Sequence, residues 1–219
     1  MATATLPPAT LAELLERIGD VAPDRIRLQP PPGTATPADV LALADGEPKR
    51  LCELVEGVLV EKAMGHQESR IAMILGQLIL NYLQEHDLGI VTGADGPHHL
   101  DDQLVRFPDV AFIPYDNIPT DADPETPMPD WVPALAVEVL SRANTKSEMD
   151  RKRQDYFDAG VRLVWYVDPK RRTISVYTSP DEVTVLTEDD TLDGADVLPG
   201  FQLSIRDWLD RASRLHPPP

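Results

Sequence analysis

Cysteine is almost absent from the 219-residue sequence, in which Cys52 is the one thiol. A lone cysteine excludes an intramolecular disulfide framework and is typical of proteins in reducing compartments. Long apolar runs are missing too, because the longest candidate, residues 71–83, is broken by Gly76, Gln77 and Asn81. A membrane-spanning helix needs roughly 18 consecutive apolar residues, and the N-terminal sequence lacks the pattern of a secretory signal. We therefore expect a cytoplasmic protein with no membrane partner.

Positive charge is also scarce, with 20 Lys plus Arg against 37 Asp plus Glu and a net charge of −17. Such a protein repels a phosphate backbone unless its basic residues are concentrated or a metal supplies positive charge. Residues 142–172 reverse the balance, with nine basic against five acidic residues. This segment is the part of the chain best suited to a nucleic acid, although a solvated helix and a solvated turn explain the same charges.

Modules that read bases are missing as well. The sequence contains no recognisable helix-turn-helix or zinc-finger pattern. His98 and His99 are adjacent in an expected turn and lack the spaced Cys or His partners of a zinc site. No recognition sequence can therefore be predicted for a nucleic acid.

The hydrophobic pattern is that of a mixed helix and strand protein. Helical spacing is present near residues 10–18, 36–43, 67–85, 147–159 and 205–215. A hairpin is expected over residues 51–62, and strands over 90–91, 104–107, 109–113, 135–140, 161–167, 173–178 and 183–186. This order predicts an α+β fold, a mixed sheet with helices on its faces. We expect an N-terminal arm and proline-rich linker at residues 1–35, one domain at 36–210 and a C-terminal tail at 211–219.

Glu138 is the clearest candidate for chemistry. It lies in residues 135–140, an apolar run typical of a strand buried on both faces. An ionised carboxylate is costly there unless it is paired or holds a metal, and a salt bridge to an arginine such as Arg162 is the structural alternative. Asp109 is the second candidate, because it follows Pro108 where a turn enters an apolar strand.

Glu53 and Lys152 complete the candidate set. Glu53 lies near the start of the first strand, where an exposed strand residue is the alternative. Lys152 lies on the helix after the buried strand, four residues before Tyr156, so the two share one helix face. Carboxylates of this kind bind one or two divalent cations through hard oxygen ligands and activate water against a phosphodiester. A nearby lysine stabilises charge that develops on the phosphate.

Several segments together resemble the Uma family of restriction-endonuclease-like proteins, part of the PD-(D/E)XK nuclease superfamily. Their order and spacing match over roughly residues 36–209. The segments are ELVEG at residues 53–57, RFPDV at 106–110, VEVLS at 137–141, KRQDY at 152–156 and GVRLVWYVDP at 160–169.

The resemblance implies the restriction-endonuclease-like fold for residues 36–210, a mixed β-sheet core flanked by helices, with an N-terminal helical arm. It also implies a Mg²⁺ site in which Mn²⁺ can substitute, and endonuclease activity on nucleic acid, DNA in particular. By motif position, Asp109 and Glu138 are metal ligands, Glu53 is an additional acid and metal ligand, and Lys152 is the catalytic lysine. The nuclease fold is often used as a dimer that addresses two strands, so we expect a homodimer.

One position departs from the family pattern. The standard lysine lies two residues after the acid on the same strand, and Leu140 occupies that position here. Lys152 can replace it only if its helix faces the strand ends. A second hypothesis is therefore a catalytically inactive nuclease fold that serves as a dimeric binding or interaction module, which Leu140 and the acidic surface favour. A phosphodiesterase acting on RNA or nucleotides would use the same residues.

Overall fold

The structure, a computed structural model, describes residues 10–63 and 65–216. Residues 1–9 of the expected arm and 217–219 of the expected tail lie outside the described residues. The α-helices of the described part are α1 (Leu11–Arg17), α2 (Pro37–Ala44), α3 (His66–Leu83), α4 (Lys146–Asp158) and α5 (Ile205–Ser213), and two short 3-10 helices lie at Pro23–Arg25 and Tyr115–Asn117. Its strands are β1 (Cys52–Val55), β2 (Val58–Glu61), β3 (Gly89–Gly93), β4 (His98–Asp101), β5 (Leu104–Arg106), β6 (Val110–Pro114), β7 (Leu135–Val139), β8 (Leu163–Asp168), β9 (Thr173–Tyr177), β10 (Val183–Thr187), β11 (Thr191–Asp193) and β12 (Gln202–Ser204).

The central sheet has six strands in the order β10-β9-β8-β7-β6-β3. It is mixed, because β7 and β8 run parallel whereas β6 and β7, like β8 and β9, run antiparallel. A second sheet has the order β2-β1-β5-β4, and β11 pairs with β12. The expected α+β architecture with a mixed sheet is confirmed. No helix in the described part of the chain has the length and apolar character needed to cross a membrane.

The main core lies between one face of the central sheet and helices α3 and α5. Helix α3 buries Ile71, Leu75 and Ile79, whose spacing of three to four residues places them on one side of the helix. They belong to the same apolar cluster as Val137 of β7 and Trp165 of β8. Helix α5 closes this cluster through its own buried residues, as its expected apolar pattern predicts.

The opposite face of β7 and β8 carries helix α4. Side chains alternate between the two faces of a strand, so Ala136 and Glu138 point away from the main core. Ala136 packs in a separate cluster with Met149 and Tyr156 of α4. Glu138 therefore faces a helix that carries charged residues.

The N-terminal arm packs on the β1–β2 hairpin. Thr10 and Glu13 form a capping box at the start of α1. Leu14 and Ile18 lie in one buried cluster with Val58 and neighbouring hairpin residues. This packing places α1 beside the sheet that carries Glu53.

The expected turn at His98 and His99 is wrong, because both residues lie in β4, which pairs with β5. The strand is short, polar and irregular, with a shift in register between His99 and Asp101, so it lacks the apolar alternation that marks a strand. Strands β11 and β12 were not expected either, and each has three residues.

His98 gives a prediction about pH. Burial, together with the charge of Lys62, lowers the pKa of His98 to about 4. In the unfolded chain the His98 imidazole binds a proton near its ordinary pKa of 6.5. The contribution of neutral His98 to the free energy of unfolding is therefore fully present above pH 6.5 and is lost as the pH falls towards 4. We expect His98 to account for about 3 kcal/mol of this loss. Urea unfolding of wild type and His98→Asn at several pH values measures it.

The matched control for this prediction is His66→Asn, which changes an exposed histidine at the start of α3. The His66 variant should keep the wild-type slope of unfolding free energy against pH. An unchanged slope in the His98 variant would contradict the prediction.

Candidate active site

Asp109 and Glu138 lie on neighbouring strands of the central sheet. Asp109 directly precedes β6, and β6 pairs with β7 so that Val110 lies opposite Val137. The Asp109 backbone N–H donates to the Val137 carbonyl at 2.8 Å, and the Val139 N–H donates to Asp109 Oδ2 at 2.7 Å. The Asp109 carboxylate is therefore held against the residue that follows Glu138, which brings the two acids together.

Lys152 reaches Glu138 from helix α4. Its Nζ lies 3.1 Å from Glu138 Oε1 and 2.8 Å from Glu53 Oε1, and 3% of its side chain is exposed. The helix thus faces the strand in the way that Lys152 needs if it is to replace a lysine at Leu140. The alternative partner Arg162 is wrong for Glu138, because Arg162 contacts Asp196 at the surface at 3.3 Å.

Glu53 lies behind Lys152 and is 1% exposed. Its Oε2 accepts a hydrogen bond from Arg106 Nη1 at 2.7 Å, and the other branch of the same guanidinium contacts Asp155. Glu53 Oε1 has the short ionic contact with Lys152 but no aligned hydrogen bond. Bases and acids alternate in a buried row of four charged side chains, which are Lys152, Glu53, Arg106 and Asp155.

Tyr156 shares the helix face of Lys152, as their spacing predicts. Its hydroxyl donates to Glu138 Oε1 at 2.6 Å, and the side chain is fully buried. Gln154 points elsewhere and bonds Asp158 on the exposed side of the helix. Glu138 Oε1 therefore receives two donors from α4.

Lys62 is a site residue that the sequence interpretation missed. Its Nζ lies 2.9 Å from Asp109 Oδ1 and donates to the carbonyls of Phe107 at 2.5 Å and Ala94 at 3.1 Å. A lysine directly after a strand is normally solvated, but 5% of this side chain is exposed. The available signal was the hairpin register: Glu53 pairs with Val60, so Lys62, two residues further, lies on the face of Glu53.

The sequence matches a family model, Uma2, whose description reads "Putative restriction endonuclease", over residues 37–206. The chain belongs to the Uma2 family. The matched region contains Glu53, Asp109, Glu138 and Lys152, and the resemblance inferred from the sequence motifs is confirmed. No curated protein matches this Uma2 chain.

The fold of this Uma2 protein is also found in a crystal structure of a putative nuclease belonging to DUF820 from Anabaena variabilis ATCC 29413. The two chains are 20% identical and superpose with a TM-score of 0.68, covering 81% of this chain and 98% of that one. At this level of identity the likeness is one of fold. The restriction-endonuclease-like fold expected from the sequence is confirmed.

The charges of the candidate active site shift one another's protonation. Burial opposes ionisation of Glu53, but Lys152 and Arg106 outweigh it and lower the pKa of Glu53 to about 2. Burial also opposes the charge of Lys152, yet Glu138 and Glu53 raise the pKa of Lys152 above its ordinary value. The pKa of Glu138 is raised by burial and by the nearby charge of Asp109. The lysine is therefore charged, and Glu138 binds a proton more readily than an ordinary glutamate.

The donor set of this Uma2 protein fits a Mg²⁺-type ion through Asp109 and Glu138. Both are hard oxygen donors, and Mg²⁺ commonly keeps several waters and takes only one or two carboxylates from the protein. The described residues contain no group of three or more His, Cys, Asp or Glu side chains placed to hold a metal. Lys152 contacts both Glu53 and Glu138. The pair that remains suits a cation that binds together with a phosphate.

The hydroxyl of Tyr156 gives a prediction about the stability of the candidate active site. Tyr156→Phe leaves the buried Glu138 carboxylate with one donor fewer, which should lower the unfolding free energy by about 1–3 kcal/mol. Tyr166→Phe is the matched control, because the buried Tyr166 hydroxyl donates to a neutral acceptor, the Met149 carbonyl, at 2.7 Å. Urea unfolding should give the larger loss for Tyr156→Phe; an equal or smaller loss would contradict the assigned role.

Proposed function

We propose that this protein is a nuclease that hydrolyses phosphodiester bonds of nucleic acid, DNA in particular, with Mg²⁺, for which Mn²⁺ can substitute. The observation that carries the proposal is the contact set of Asp109 and Glu138 on adjacent strands, with Lys152 Nζ 3.1 Å from Glu138. The description of the Uma2 family supports the same class of reaction.

In this proposal Asp109 and Glu138 hold the cation. A divalent cation, when bound, supplies Lewis acidity that makes water more acidic and neutralises charge on the phosphate. Asp109 is the more accessible of the two acids, with 13% of its side chain exposed, so it faces the direction from which a phosphate arrives. Val139 N–H and Lys62 hold its carboxylate in place.

Glu53 is proposed as a further ligand of the cation, on the condition that Lys152 moves away from it. Its Oε1 has no aligned hydrogen bond, so it is available as an acceptor. Lys152 Nζ lies 2.8 Å from that oxygen, and a cation reaches it only if the lysine moves. With Lys152 in place, Glu53 acts through the lysine by fixing its position.

Lys152 is proposed to supply positive charge beside the reacting phosphate. It donates to Glu138 and contacts Glu53, so its ammonium is held by two carboxylates from different sheets. A fixed charge of this kind stabilises negative charge that develops in the transition state without reorganisation. The same charge lowers the pKa of Glu53 and opposes the rise that burial causes in the pKa of Glu138, and so favours the ionised carboxylates that cation binding requires.

The second candidate function is an inactive nuclease fold that serves as a dimeric binding or interaction module. Leu140 occupies the position at which the family pattern has a lysine on the strand. Asp109, Glu53 and Glu138 each already form an ion pair with a basic residue of the protein. These observations favour a structural role for the charges. Catalysis distinguishes the two functions.

A cleavage assay tests the proposed function. Supercoiled plasmid is incubated with wild type, Asp109→Asn and Glu138→Gln in Mg²⁺, in Mn²⁺ and in EDTA, with an RNA substrate in parallel. We expect cleavage with either metal and at least about a 100-fold loss in each variant. Asp196→Asn is the control, because Asp196 is an exposed acid remote from the cluster, and it should cleave like wild type.

Two results would count against catalysis at this cluster. Equal cleavage by wild type and Glu138→Gln would place the activity elsewhere. No cleavage of DNA or RNA by folded protein that is saturated with Mn²⁺ would support the binding module instead.

The proposal includes a homodimer, in which two sites address two strands. Light scattering on the purified chain measures this directly. A mass twice that of the 24.2 kDa chain is the expected result, and the monomer mass would contradict it.

A further inference from the structure

Two turns meet at the edge of the central sheet beside Glu138. Strands β7 and β8 are parallel and in register, with Glu138 opposite Tyr166 and Val139 opposite Val167. Their carboxyl ends therefore lie at one edge, and ligands of open sheets commonly bind outside such ends. The segment 140–145 follows β7 and the segment 169–172 follows β8. Arg142 lies in the first and Lys170 in the second.

Two open clefts flank these turns, with volumes of about 480 and 530 Å³. Both clefts are lined by Leu140, Ser141 and Lys170, so they lie on either side of one ridge. Arg142 lines the larger cleft. The ridge includes Leu140, two residues after Glu138, which places it beside the candidate active site.

Arg142 and Lys170 are exposed cations without a carboxylate partner. Neither forms an ion pair with any residue that the structure describes, whereas nearby Lys146 and Arg171 face Asp150 and Asp168. Both residues lie in exposed positions. The whole chain has a net charge of −17. Two cations without an ion-pair partner on one ridge beside Asp109 and Glu138 therefore make the electrostatic potential there locally positive.

The surrounding acids limit where an anion can bind. Asp24 and Glu68 line the larger cleft with Arg142, and Asp150 and Asp168 line the smaller one. The other cations that line the clefts face carboxylates: Lys146 and Arg153 contact Asp150, Arg171 faces Asp168, and Arg25 contacts Glu148. The charges of Arg142 and Lys170 are therefore the ones on this ridge that remain for the phosphates of a strand.

We propose that Arg142 and Lys170 bind phosphate groups of the nucleic acid strand whose scissile phosphate lies at Asp109 and Glu138. The location of the scissile phosphate rests on the proposed function, but binding at the ridge needs no catalysis. The ligand chemistry is the phosphodiester backbone, which DNA and RNA share. Arginine offers two parallel donors to phosphate oxygens, and lysine offers a mobile point charge.

Salt dependence of binding tests the assignment. Each protein cation that neutralises a duplex phosphate releases condensed counterions and contributes about 0.9 to the slope of log affinity against log salt. Fluorescence anisotropy with a short labelled DNA duplex is measured in EDTA, so that cleavage does not occur and added metal does not contribute. A labelled RNA duplex in the same buffers distinguishes the two sources of the backbone.

We expect Arg142→Gln and Lys170→Gln each to weaken binding and to reduce the slope by about 1. Lys49→Gln and Arg214→Gln are matched controls. They remove the same charge from exposed positions whose side chains also form no ion pair within the described chain, and neither residue lines the two clefts. The controls should keep the wild-type slope.

Three results would overturn the assignment: no salt-dependent binding by wild type, an unchanged slope in both ridge variants, or an equal reduction in the controls. Failure of the proposed function is distinguishable from these. If the proposed function fails, wild type neither binds Mn²⁺ nor cleaves nucleic acid. Arg142→Gln and Lys170→Gln, each introduced into the Glu138→Gln protein, should still reduce the slope of log affinity against log salt.

Discussion

Replacement of Lys152 by methionine is expected to lower phosphodiester cleavage by at least about 100-fold. The ammonium is the one basic group of α4 that contacts both Glu53 and Glu138 among the residues described. Its removal deletes the positive charge beside the reacting phosphate. It also leaves the buried carboxylates of Glu53 and Glu138 without the cation that both contact, which raises the pKa of Glu138 further. Cleavage rates under saturating Mn²⁺ measure the effect.

The same variant should be destabilised by about 3–5 kcal/mol, because it leaves buried charge without a partner. A second variant separates catalysis from folding: Lys152→Met with Glu53→Gln removes one positive and one negative charge. We expect this double variant to recover much of the stability and none of the activity. Lys146→Met is the control on the same helix, since 90% of that side chain is exposed. Activity in the folded double variant would show that Lys152 has a structural role alone.

Arg106→Met is expected to lower the unfolding free energy by about 3–5 kcal/mol, because Arg106 is buried between two carboxylates. Arg106 is 2% exposed and contacts Glu53 at 2.7 Å with one branch and Asp155 with the other. Methionine fills part of the space but leaves both carboxylates buried without this cation. Urea unfolding at neutral pH measures the loss.

Two controls sharpen the Arg106 prediction. Arg162→Met removes an exposed arginine whose ion pair with Asp196 is half in solvent, and it should cost less than about 1 kcal/mol. Arg106→Lys keeps the charge but not the guanidinium group that contacts two acids at once. We therefore expect its unfolding free energy to lie between those of Arg106→Met and wild type. A loss for Arg106→Met as small as that for Arg162→Met would mean that the buried row contributes little to stability.

The fold and half of the site follow from local sequence signals. The period of apolar residues in α3 and the glycine turn of the β1–β2 hairpin predict their elements directly, because each pattern is contained in one short segment. Glu138 is detectable as a charge in an apolar strand, and the spacing of Lys152 and Tyr156 places them on one face. Their shared partner, Glu138, lies one element earlier in the chain.

The rest of the site depends on contacts between segments far apart in sequence. Lys62 contacts Asp109 only because two sheets meet. Arg106 lies between Glu53 and Asp155 because the paired strands β1 and β5 face helix α4. A single basic residue at a strand end carries no local signal of burial. Strand β4 was missed because its pairing with β5, not its own composition, makes His98–Asp101 a strand.

Calorimetric titration of Mn²⁺ and Mg²⁺ into wild type, Asp109→Ala and Glu138→Ala tests most directly whether the two acids hold a cation. Circular dichroism confirms that each variant is folded, and Asp116→Ala serves as an exposed acidic control. The proposed site predicts binding in wild type and in the control, and its loss in both site variants. No binding in wild type, even with a short DNA duplex present, would contradict a metal-dependent nuclease.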